Sequence, residues 1–334
     1  MNIKLGDLCK IQAGGTPSRN ISKYWENGDI PWVKIGDIES KFLYKTTEFI
    51  TKEGLNNSSA KMIEKGSILY TIFATLGEDC ITNIDVTTNQ AIAGLTLRDD
   101  KVDLEYLYYF LKSLHLHVNS IGRGVAQNNI NLTILREFSV PVPNRKKQLE
   151  IANILKVIEN IIESRKKQIQ EYDQLIKSRF VEMFGNPIKN DKEWKLKFLD
   201  EVCDVRDGTH DSPKYYNVGY PLITSKNISN GNIDYSTAQL ICEEDYQNIN
   251  KRSKVDNGDI LMPMIGTVGG AIIVRKERDF AIKNVALIKF NTKLVENTFI
   301  KYVLNSDQMN LHFEDLKHGG TQKFIGLKTI RNLP

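Results

Sequence analysis

Two short segments of the sequence combine basic residues, glycines and a side-chain amide, which are residue types that contact nucleic acids. They are GRGVAQNN (Gly122–Asn129) and KHGGTQK (Lys317–Lys323). Glycines let a backbone approach a phosphate closely, lysine and arginine neutralise its charge, and glutamine can read the N6 and N7 edge of adenine. The alternative is a pair of turns whose polar residues face water. The candidate DNA contacts in these segments are Arg123, Gln127, Lys317, Thr321, Gln322 and Lys323.

The sequence contains no recognisable set of catalytic residues. It has no [ND]-P-P-[FYW] motif for base methylation, because GNPI at Gly185 lacks the second proline. GTVGGA at Gly266 lacks the lysine of a phosphate-binding loop, and no Pro-Asp dipeptide begins a nuclease pattern. In HLH (His115–His117) the two histidines are two positions apart on a predicted helix, which is a poor spacing for a shared metal. We therefore predict a non-catalytic protein with no metal or cofactor of its own.

Composition and charge are typical of a globular protein with room for two domains. The chain has 334 residues, of which 41% are hydrophobic and 26% charged. It begins without a signal-peptide pattern, and no window has the roughly 18 apolar residues of a membrane span, so we predict a cytoplasmic location. The four cysteines are widely separated, which suits reduced thiols better than a zinc site. A net charge of +4 permits a nucleic-acid partner without requiring one.

The candidate DNA segments belong to a longer internal repeat. Sliding the sequence by roughly 190 to 195 residues aligns a series of landmarks in the same order. This shared order favours duplication over chance. The aligned pairs include Cys9 with Cys203, Gly15 with Gly208, Gly66 with Gly258, Gly77 with Gly269, Asn89 with Asn284, Gln127 with Gln322 and Arg136 with Arg331.

Each copy has the pattern of a mixed α/β domain. GSILYTIF (Gly66–Phe73) and GDILMPMI (Gly258–Ile265) are short apolar runs after a glycine, which predict strands. Leu104–Ile121 and Asn297–Phe313 carry apolar residues at helical spacing and are each predicted to form one helix. The predicted fold class is α+β, with two homologous mixed α/β domains over residues 1–143 and 186–334.

Residues 144–185 have a different pattern, that of a long α-helix of the coiled-coil type. From about Lys146 to Met183 there is neither glycine nor proline, and the run ends at FGNP, so the helix spans on the order of 55 Å. Its apolar residues alternate by four and three positions, with Arg165 as one charged interruption. The alternative is an amphipathic helix folded onto one domain. The predicted partner-helix seam consists of Ile151, Leu155, Ile158, Ile162, Ile169, Tyr172 and Ile176.

The whole arrangement resembles the specificity subunit of type I restriction-modification systems. The motifs that carry the resemblance are GGTPS (Gly14–Ser18), IPWVKIGDI (Ile30–Ile38) and the Pro-x-Pro-x-x-x-x-Gln junction that ends at Gln148. The second copy has weaker versions, with DGTHDSP and YPLITSKNI at the equivalent places. The resemblance covers essentially the whole chain.

The resemblance implies that each domain is a target-recognition domain for one half of a bipartite DNA sequence. It implies that the spacer helix sets the gap and docks two methyltransferase subunits, and that a motor-nuclease restriction subunit joins them. S-adenosylmethionine, ATP and Mg are then expected only on those partners. The loops at Gly14–Ser18 and Asp207–Ser212 are expected near the DNA, and a lysine in each following segment could reach a phosphate. The further candidate contacts are Thr16, Ser18, Lys34, Thr209, His210 and Lys226.

The resemblance also implies a second conserved helix after the second domain, and the sequence ends at Pro334 without one. Three explanations stay open: an artificially shortened form, a natural truncation, or completion in trans by another chain. We expect the exposed seam to be covered, either by an antiparallel copy of itself in a homodimer or by methyltransferase helices. A second hypothesis is a truncated scaffold that docks methyltransferase subunits or dimerises through its helix without productive DNA recognition.

Overall fold

The computed structural model describes residues 1–115, 130–229, 231–266, 268–291, 294–316 and 324–334. The chain divides into two compact units, Met1–Lys166 and Lys167–Pro334. The division falls inside one 40-residue helix, so each unit contains part of it. Within the described ranges, no helix combines the length and the apolar character needed to cross a membrane.

The first unit contains ten described strands and the start of the long helix. Its strands are β1 (Asn2–Lys4), β2 (Cys9–Ala13), β3 (Ile30–Val33), β4 (Phe42–Leu43), β5 (Glu48–Ile50), β6 (Ile68–Thr71), β7 (Asp79–Thr82), β8 (Thr87–Thr88), β9 (Ile92–Leu97) and β10 (Ser139–Pro141). Its helices are α1 (Leu5–Leu8), α2 (Lys52–Asn56), α3 (Leu104–Ser113), α4 (Leu132–Arg136) and the first part of the long helix α5 (Arg145–Phe184). The sheet orders are β1-β10, β2-β9-β6-β7-β4 and β5-β3-β8, in which β3–β8 and β4–β7 are parallel pairs.

The second unit repeats this plan. Its strands are β11 (Asp204–Asp207), β12 (Tyr220–Ile223), β13 (Ile228–Ser229), β14 (Asn232–Ile233), β15 (Gln239–Ile241), β16 (Ile260–Pro263), β17 (Ile272–Ile273), β18 (Ala281–Ile282) and β19 (Val285–Lys289). Its helices are α6 (Leu199–Val202), α7 (Glu243–Ser253), α8 (Asn297–Leu304), α9 (Asp307–Leu316) and α10 (Leu327–Arg331). The sheet orders are β11-β19-β16-β17, β15-β12-β18 and β13-β14.

The central strand of each larger sheet is buried on both faces, which explains its uninterrupted apolar sequence. In β6, Ile68 and Tyr70 join the core that includes α3, whereas Leu69 joins a smaller core on the opposite face. In β16, Ile260 packs into one core of the second unit and Leu261 into another. Successive side chains of a strand point to opposite faces, so two cores require apolar residues at every position. The two predicted strands are confirmed.

The single helix predicted over Asn297–Phe313 is wrong, because the structure has two helices there. Helix α8 ends at Leu304, and α9 begins at Asp307. The side chain of Asn305 exchanges two hydrogen bonds of 2.8 Å with the backbone of Ala271, and the Ser306 hydroxyl accepts from Met309 N over 3.2 Å. These bonds stabilise the break between the helices. In the first copy, α3 ends at Ser113, and the predicted helix beyond residue 115 lies outside the described residues.

Both ends of α5 follow from local sequence. The Asn144 carboxamide oxygen accepts from Lys147 N over 3.0 Å, which satisfies one free donor of the first turn. At the other end Gly185 has φ +79° and donates to Val181 O over 2.7 Å. A glycine adopts this left-handed conformation without strain and so ends the helix. The predicted mixed α/β architecture with a long helix is confirmed.

Candidate nucleic-acid interface

The Gly14–Ser18 turn of the first unit lies directly against β8 and β9. Gly14 N donates to Ile92 O over 3.2 Å, and Gly15 N donates to Thr88 O over 2.8 Å. A Cβ atom on Gly14 would lie 2.1 Å from Thr88 Oγ1, so this approach requires glycine. The turn is therefore fixed to the sheets at one end while its polar side chains face outward.

Two tryptophans hold the rest of this turn. The Trp32 indole donates to Gly15 O over 3.0 Å, and the Trp25 indole donates to Ser18 O over 3.1 Å. The two rings meet edge to face with centroids 5.1 Å apart. Thr16 and Ser18 stay exposed, with the Thr16 hydroxyl donating to Gln90 Oε1 over 2.5 Å. The structure thus places both predicted contacts on a braced surface turn.

Lys34 lies at the end of β3, next to this turn, and is already paired. Its Nζ atom donates to Glu48 Oε1 over 2.9 Å, while Arg19 binds the other oxygen of the same carboxylate over 2.6 Å. Hydrogen bonds from Arg19 and then Lys34 hold the pKa of Glu48 below its usual value. Sequence reasoning missed Arg19 and Glu48. The sequence signal for this cluster was an arginine directly after the GGTPS motif and shortly before two tryptophans.

The equivalent turn of the second unit engages His210 in a different way. Thr209 N donates to Ile282 O over 3.0 Å, and the Thr209 side chain is half-buried. Both ring nitrogens of His210 have partners, namely Asp207 Oδ2 at 2.9 Å and Asn284 Oδ1 at 2.7 Å. The imidazole is nevertheless 62% exposed. His210 can therefore orient Asn284 as well as face a ligand.

A cleft of about 890 Å³ with polar and apolar lining residues lies beside β12 in the second unit. The exposed Lys226 belongs to a short turn at the end of β12, in which Asn227 accepts from both the amide and the hydroxyl of Thr224. Lys283 lines the same cleft and donates to Ser212 over 2.5 Å. Hydroxyl, amide and ammonium groups therefore converge here. The lining residues with a hydroxyl, amide or ammonium group are Tyr215, Thr224, Ser225, Lys226, Asn227, Ser229, Thr237, Gln239, Lys283 and Asn284.

Six predicted DNA contacts lie outside the described residues and stay predictions. After each of the two segments that contain these contacts, a backbone hydrogen bond anchors the chain at matching places in the two units. Ile130 N donates to Ile72 O, one residue past β6, over 2.9 Å, and Ile325 N donates to Met264 O, one residue past β16, over 2.9 Å. The duplication therefore extends to these anchor points. The six residues are Arg123, Gln127, Lys317, Thr321, Gln322 and Lys323.

The predicted seam of α5 divides into two parts. Ile151 and Leu155 are half-buried and pack against the core of the first unit, next to the buried Ala152. The remaining seam residues are between 43% and 63% exposed, namely Ile158, Ile162, Ile169, Tyr172 and Ile176. Four further exposed apolar residues widen this face. The sequence analysis missed them, although they recur along one side of the helix. They are Ile154, Val157, Ile161 and Leu175.

The candidate interface contains hydrogen-bonding and cationic groups, which are the groups that bases and phosphates bind. Among the described residues, no group of three histidine, cysteine or carboxylate side chains is placed to hold a metal ion. Cys80 and Cys203 are buried, and burial raises their thiol pKa to about 12 and about 11, respectively. These thiols therefore behave as small core residues.

Comparison with known proteins identifies the family. A family model described as the type I restriction modification DNA specificity domain matches residues 1–172 and 191–334. The chain belongs to this family. Its relatives include the type I restriction enzyme MjaIX specificity subunit of Methanocaldococcus jannaschii, at 28% identity over 255 residues, or 68% of this chain and 58% of that protein. Another is the EcoR124I/EcoR124II specificity subunit of Escherichia coli, at 27% identity over 52% of this chain and 46% of that protein.

The chain thus spans about half the length of these two type I specificity subunits. One solved structure is described as "Structural basis underlying complex assembly and conformational transition of the type I R-M system". Its matching chain has a TM-score of 0.57 at 16% identity, with 99% of this chain and 84% of that chain covered, and so has the same fold. The family and fold class predicted from the motifs are confirmed.

Proposed function

We propose that this chain is the DNA sequence-specificity subunit of a type I restriction-modification complex, in which each unit binds one half of a bipartite target. The observation that carries this proposal is the duplicated frame. Each unit places a glycine turn beside a three-stranded sheet, in the order β5-β3-β8 or β15-β12-β18. Because this turn and sheet occur in both units, the chain has two equivalent surfaces, one for each DNA segment. Family membership supports DNA as the ligand.

Equivalent positions of the two three-stranded sheets carry different side chains, as expected of domains that recognise different half-sites. The strand registers pair Trp32 with Glu48 in the first unit and Leu222 with Gln239 in the second. Sequence is read by hydrogen bonds to base edges, so a change of polar groups on a constant frame changes the preferred sequence. The two half-sites are therefore proposed to differ.

The long helix is proposed to dock two methyltransferase subunits and to set the gap between the half-sites. Its isoleucines and leucine are about half exposed, so covering each of them would gain about 1 kcal/mol, roughly half the value for a fully exposed side chain, and a covering partner is favoured. With 40 residues the helix is about 60 Å long. Half-sites about one DNA turn apart, or ~34 Å, lie within the reach of such an element. A homodimer through this face is the competing arrangement for the isolated chain.

Catalysis is proposed to belong to the partners. In this proposal, adenine methylation uses S-adenosylmethionine on the methyltransferase subunits, and restriction uses ATP and Mg on a motor-nuclease subunit. The chain itself supplies sequence recognition in the cytoplasm, where these partners and the DNA meet. Its own described groups bind and orient, through hydroxyls, amides and cations.

A gel-shift assay with the reconstituted complex of this chain and its cognate methyltransferase tests the proposal. We expect retention of duplexes that carry one bipartite sequence, against an excess of unrelated DNA at physiological salt. Formation of the protein complex without sequence-specific retention would instead favour the scaffold hypothesis. Failure of the chain to bind the methyltransferase at all would contradict the proposal and leave only the form of the scaffold hypothesis in which the chain dimerises through its helix.

A further inference from the structure

Arg19 is held rigidly on the surface of the first unit by two aromatic rings. Its guanidinium carbon lies 3.6 Å from the ring centroid of Trp25 and 4.8 Å from that of Trp32. The same indoles fix the Gly14–Ser18 turn, and Trp32 is 3% exposed. A stacked guanidinium loses little further freedom on binding, because its plane is already set.

Glu48 adds a second constraint and sets the local charge. Its carboxylate binds Arg19 Nη1 over 2.6 Å through one oxygen and Lys34 Nζ over 2.9 Å through the other. Arg19 and Lys34 share the single carboxylate of Glu48, so this cluster of three residues keeps one net positive charge. The Arg19 side chain is still 51% exposed, compared with 27% for Glu48. The arginine therefore presents an oriented, partly unoccupied fork to solvent.

We propose that Arg19 is a specificity-determining residue of the first unit and reads a guanine through paired hydrogen bonds to O6 and N7. This inference rests on the proposed function, that the first unit reads one DNA half-site. Arginine bidentate to guanine is the commonest base-specific contact, and its planar fork must be oriented to make it. A phosphate is a poorer partner here, because its charge would approach the Glu48 carboxylate. The acceptor atoms of guanine carry no full charge and meet a weaker repulsion.

The second unit has no equivalent of this cluster among its described residues. Leu222 occupies the place of Trp32, Thr224 that of Lys34 and Gln239 that of Glu48, as the common strand order and register show. Thr224 and Gln239 line the cleft beside β12 and are uncharged. The guanine contact is therefore assigned to the first half-site alone.

The test measures base discrimination by the reconstituted complex. The target is first determined by methylation mapping with the wild-type chain, and the first half-site is assigned by replacing residues 1–143 with another family member's domain. Duplexes with each guanine of that half-site changed to adenine are then bound to the wild type, Arg19→Ala, Arg19→Lys and the control Lys23→Ala. Lys23 is 61% exposed and pairs with Glu53 in the same region, so the control removes the same charge. Thermal unfolding verifies that each variant is folded.

We expect one position at which the wild type and Lys23→Ala prefer guanine, whereas both Arg19 variants lose roughly 10- to 100-fold of that preference. Discrimination in the second half-site stays unchanged. Three results would overturn the inference: a first half-site without a G·C pair, full discrimination in Arg19→Ala, or full discrimination in Arg19→Lys, since lysine lacks the planar fork and its stacking on the two indoles that orient the proposed contact. A wild-type complex that selects no bipartite sequence would overturn the proposed function itself.

Discussion

The Gln148 side chain accepts a hydrogen bond from Asp103 N over 2.7 Å, and this bond joins the start of α5 to the start of α3. The Gln148 amide also donates to Lys101 O over 2.9 Å and to Pro143 O over 2.8 Å. Gln148 is 1% exposed, and Asp103 caps α3 by accepting from Tyr106 N over 3.1 Å. One buried amide therefore satisfies three backbone groups and fixes the long helix to the first unit.

Replacing Gln148 with leucine is expected to destabilise the first unit by about 2–4 kcal/mol. Leucine has a similar volume but leaves one backbone donor and two acceptors without this partner. Because these groups are only partly buried, each loss is expected near the lower end of roughly 1–3 kcal/mol. The melting temperature of the transition that belongs to the first unit should fall by roughly 4–12 °C. Asn160→Leu, at an exposed position of the same helix within the first unit, is the matched control and should change it little. Equal melting temperatures for the two variants would contradict this role of Gln148.

The buried Asp79 should make the stability of the first unit fall as the pH rises. Burial raises the pKa of this carboxyl to about 7, although the nearby Lys112 lowers it, and its Oδ2 atom has no hydrogen-bond partner within the described part of the chain. A carboxyl whose pKa is higher in the folded state binds its proton more tightly there. The unit is therefore expected to lose stability between about pH 4, the unfolded pKa, and pH 7.

Asp79→Asn should remove most of this pH dependence and stabilise the unit at pH 8 by an amount on the order of a few kcal/mol. The amide keeps the shape of the carboxyl but carries no charge to bury. Urea unfolding between pH 5 and pH 8 measures the effect, with the exposed Asp29→Asn as the control. A variant that is less stable than the wild type at pH 8 would show that the ionised carboxylate stabilises the fold.

An aspartate on the apolar face of α5 should abolish partner binding without unfolding the chain. Ile169 is 61% exposed, so Ile169→Asp is expected to leave the circular dichroism spectrum and melting temperature unchanged. Burying the new charge against a methyltransferase helix should weaken the complex at least about 10-fold. Gln170→Asp, on the polar side of the helix, should bind normally in the same pull-down and calorimetry experiments. Equal binding by both variants would show that this face does not dock the methyltransferase.

Lengthening α5 by whole heptads should widen the gap in the target and leave the half-sites unchanged. Duplicating residues 162–168 adds about 10 Å of helix and keeps the apolar face in phase. That length corresponds to at most about three base pairs of DNA at ~3.4 Å each. A second duplication should widen the gap by a similar amount again. Methylation mapping of the two variants would contradict the spacer role if the gap stayed constant or a half-site changed.

Secondary structure could be predicted from the sequence wherever a local pattern is compatible with only one kind of element. The strands β6 and β16 follow a glycine with continuous apolar residues, and the junction ending at Gln148 marks the start of the long helix. The break between α8 and α9 could not be predicted in this way. It depends on hydrogen bonds between Asn305 and Ala271, 34 positions apart, and neither residue type forbids a helix.

At the candidate interface, whose DNA contacts stay predictions, the positions of single residues could be predicted from the sequence, but their hydrogen-bond and ion-pair partners could not. The turn containing Thr16 and the position of Lys34 were found from motifs. The arginine cluster was not, since Arg19 and Glu48 meet only when β5 pairs with β3. Likewise, the heptad pattern gives Ile151 and Ile158 the same role, whereas the domain packed beside the start of α5 partly buries the first and leaves the second exposed.

The central claim, that two units each read their own half of one target, is tested most directly by mapping methylated adenines in a host that carries this chain and its cognate methyltransferase. We predict a single bipartite sequence with a gap of fixed length. When residues 1–143 are replaced by the equivalent domain of another family member, one half-site should change while the other half-site and the gap stay the same. Methylation at a continuous site, or a replacement that alters both halves together, would contradict the account.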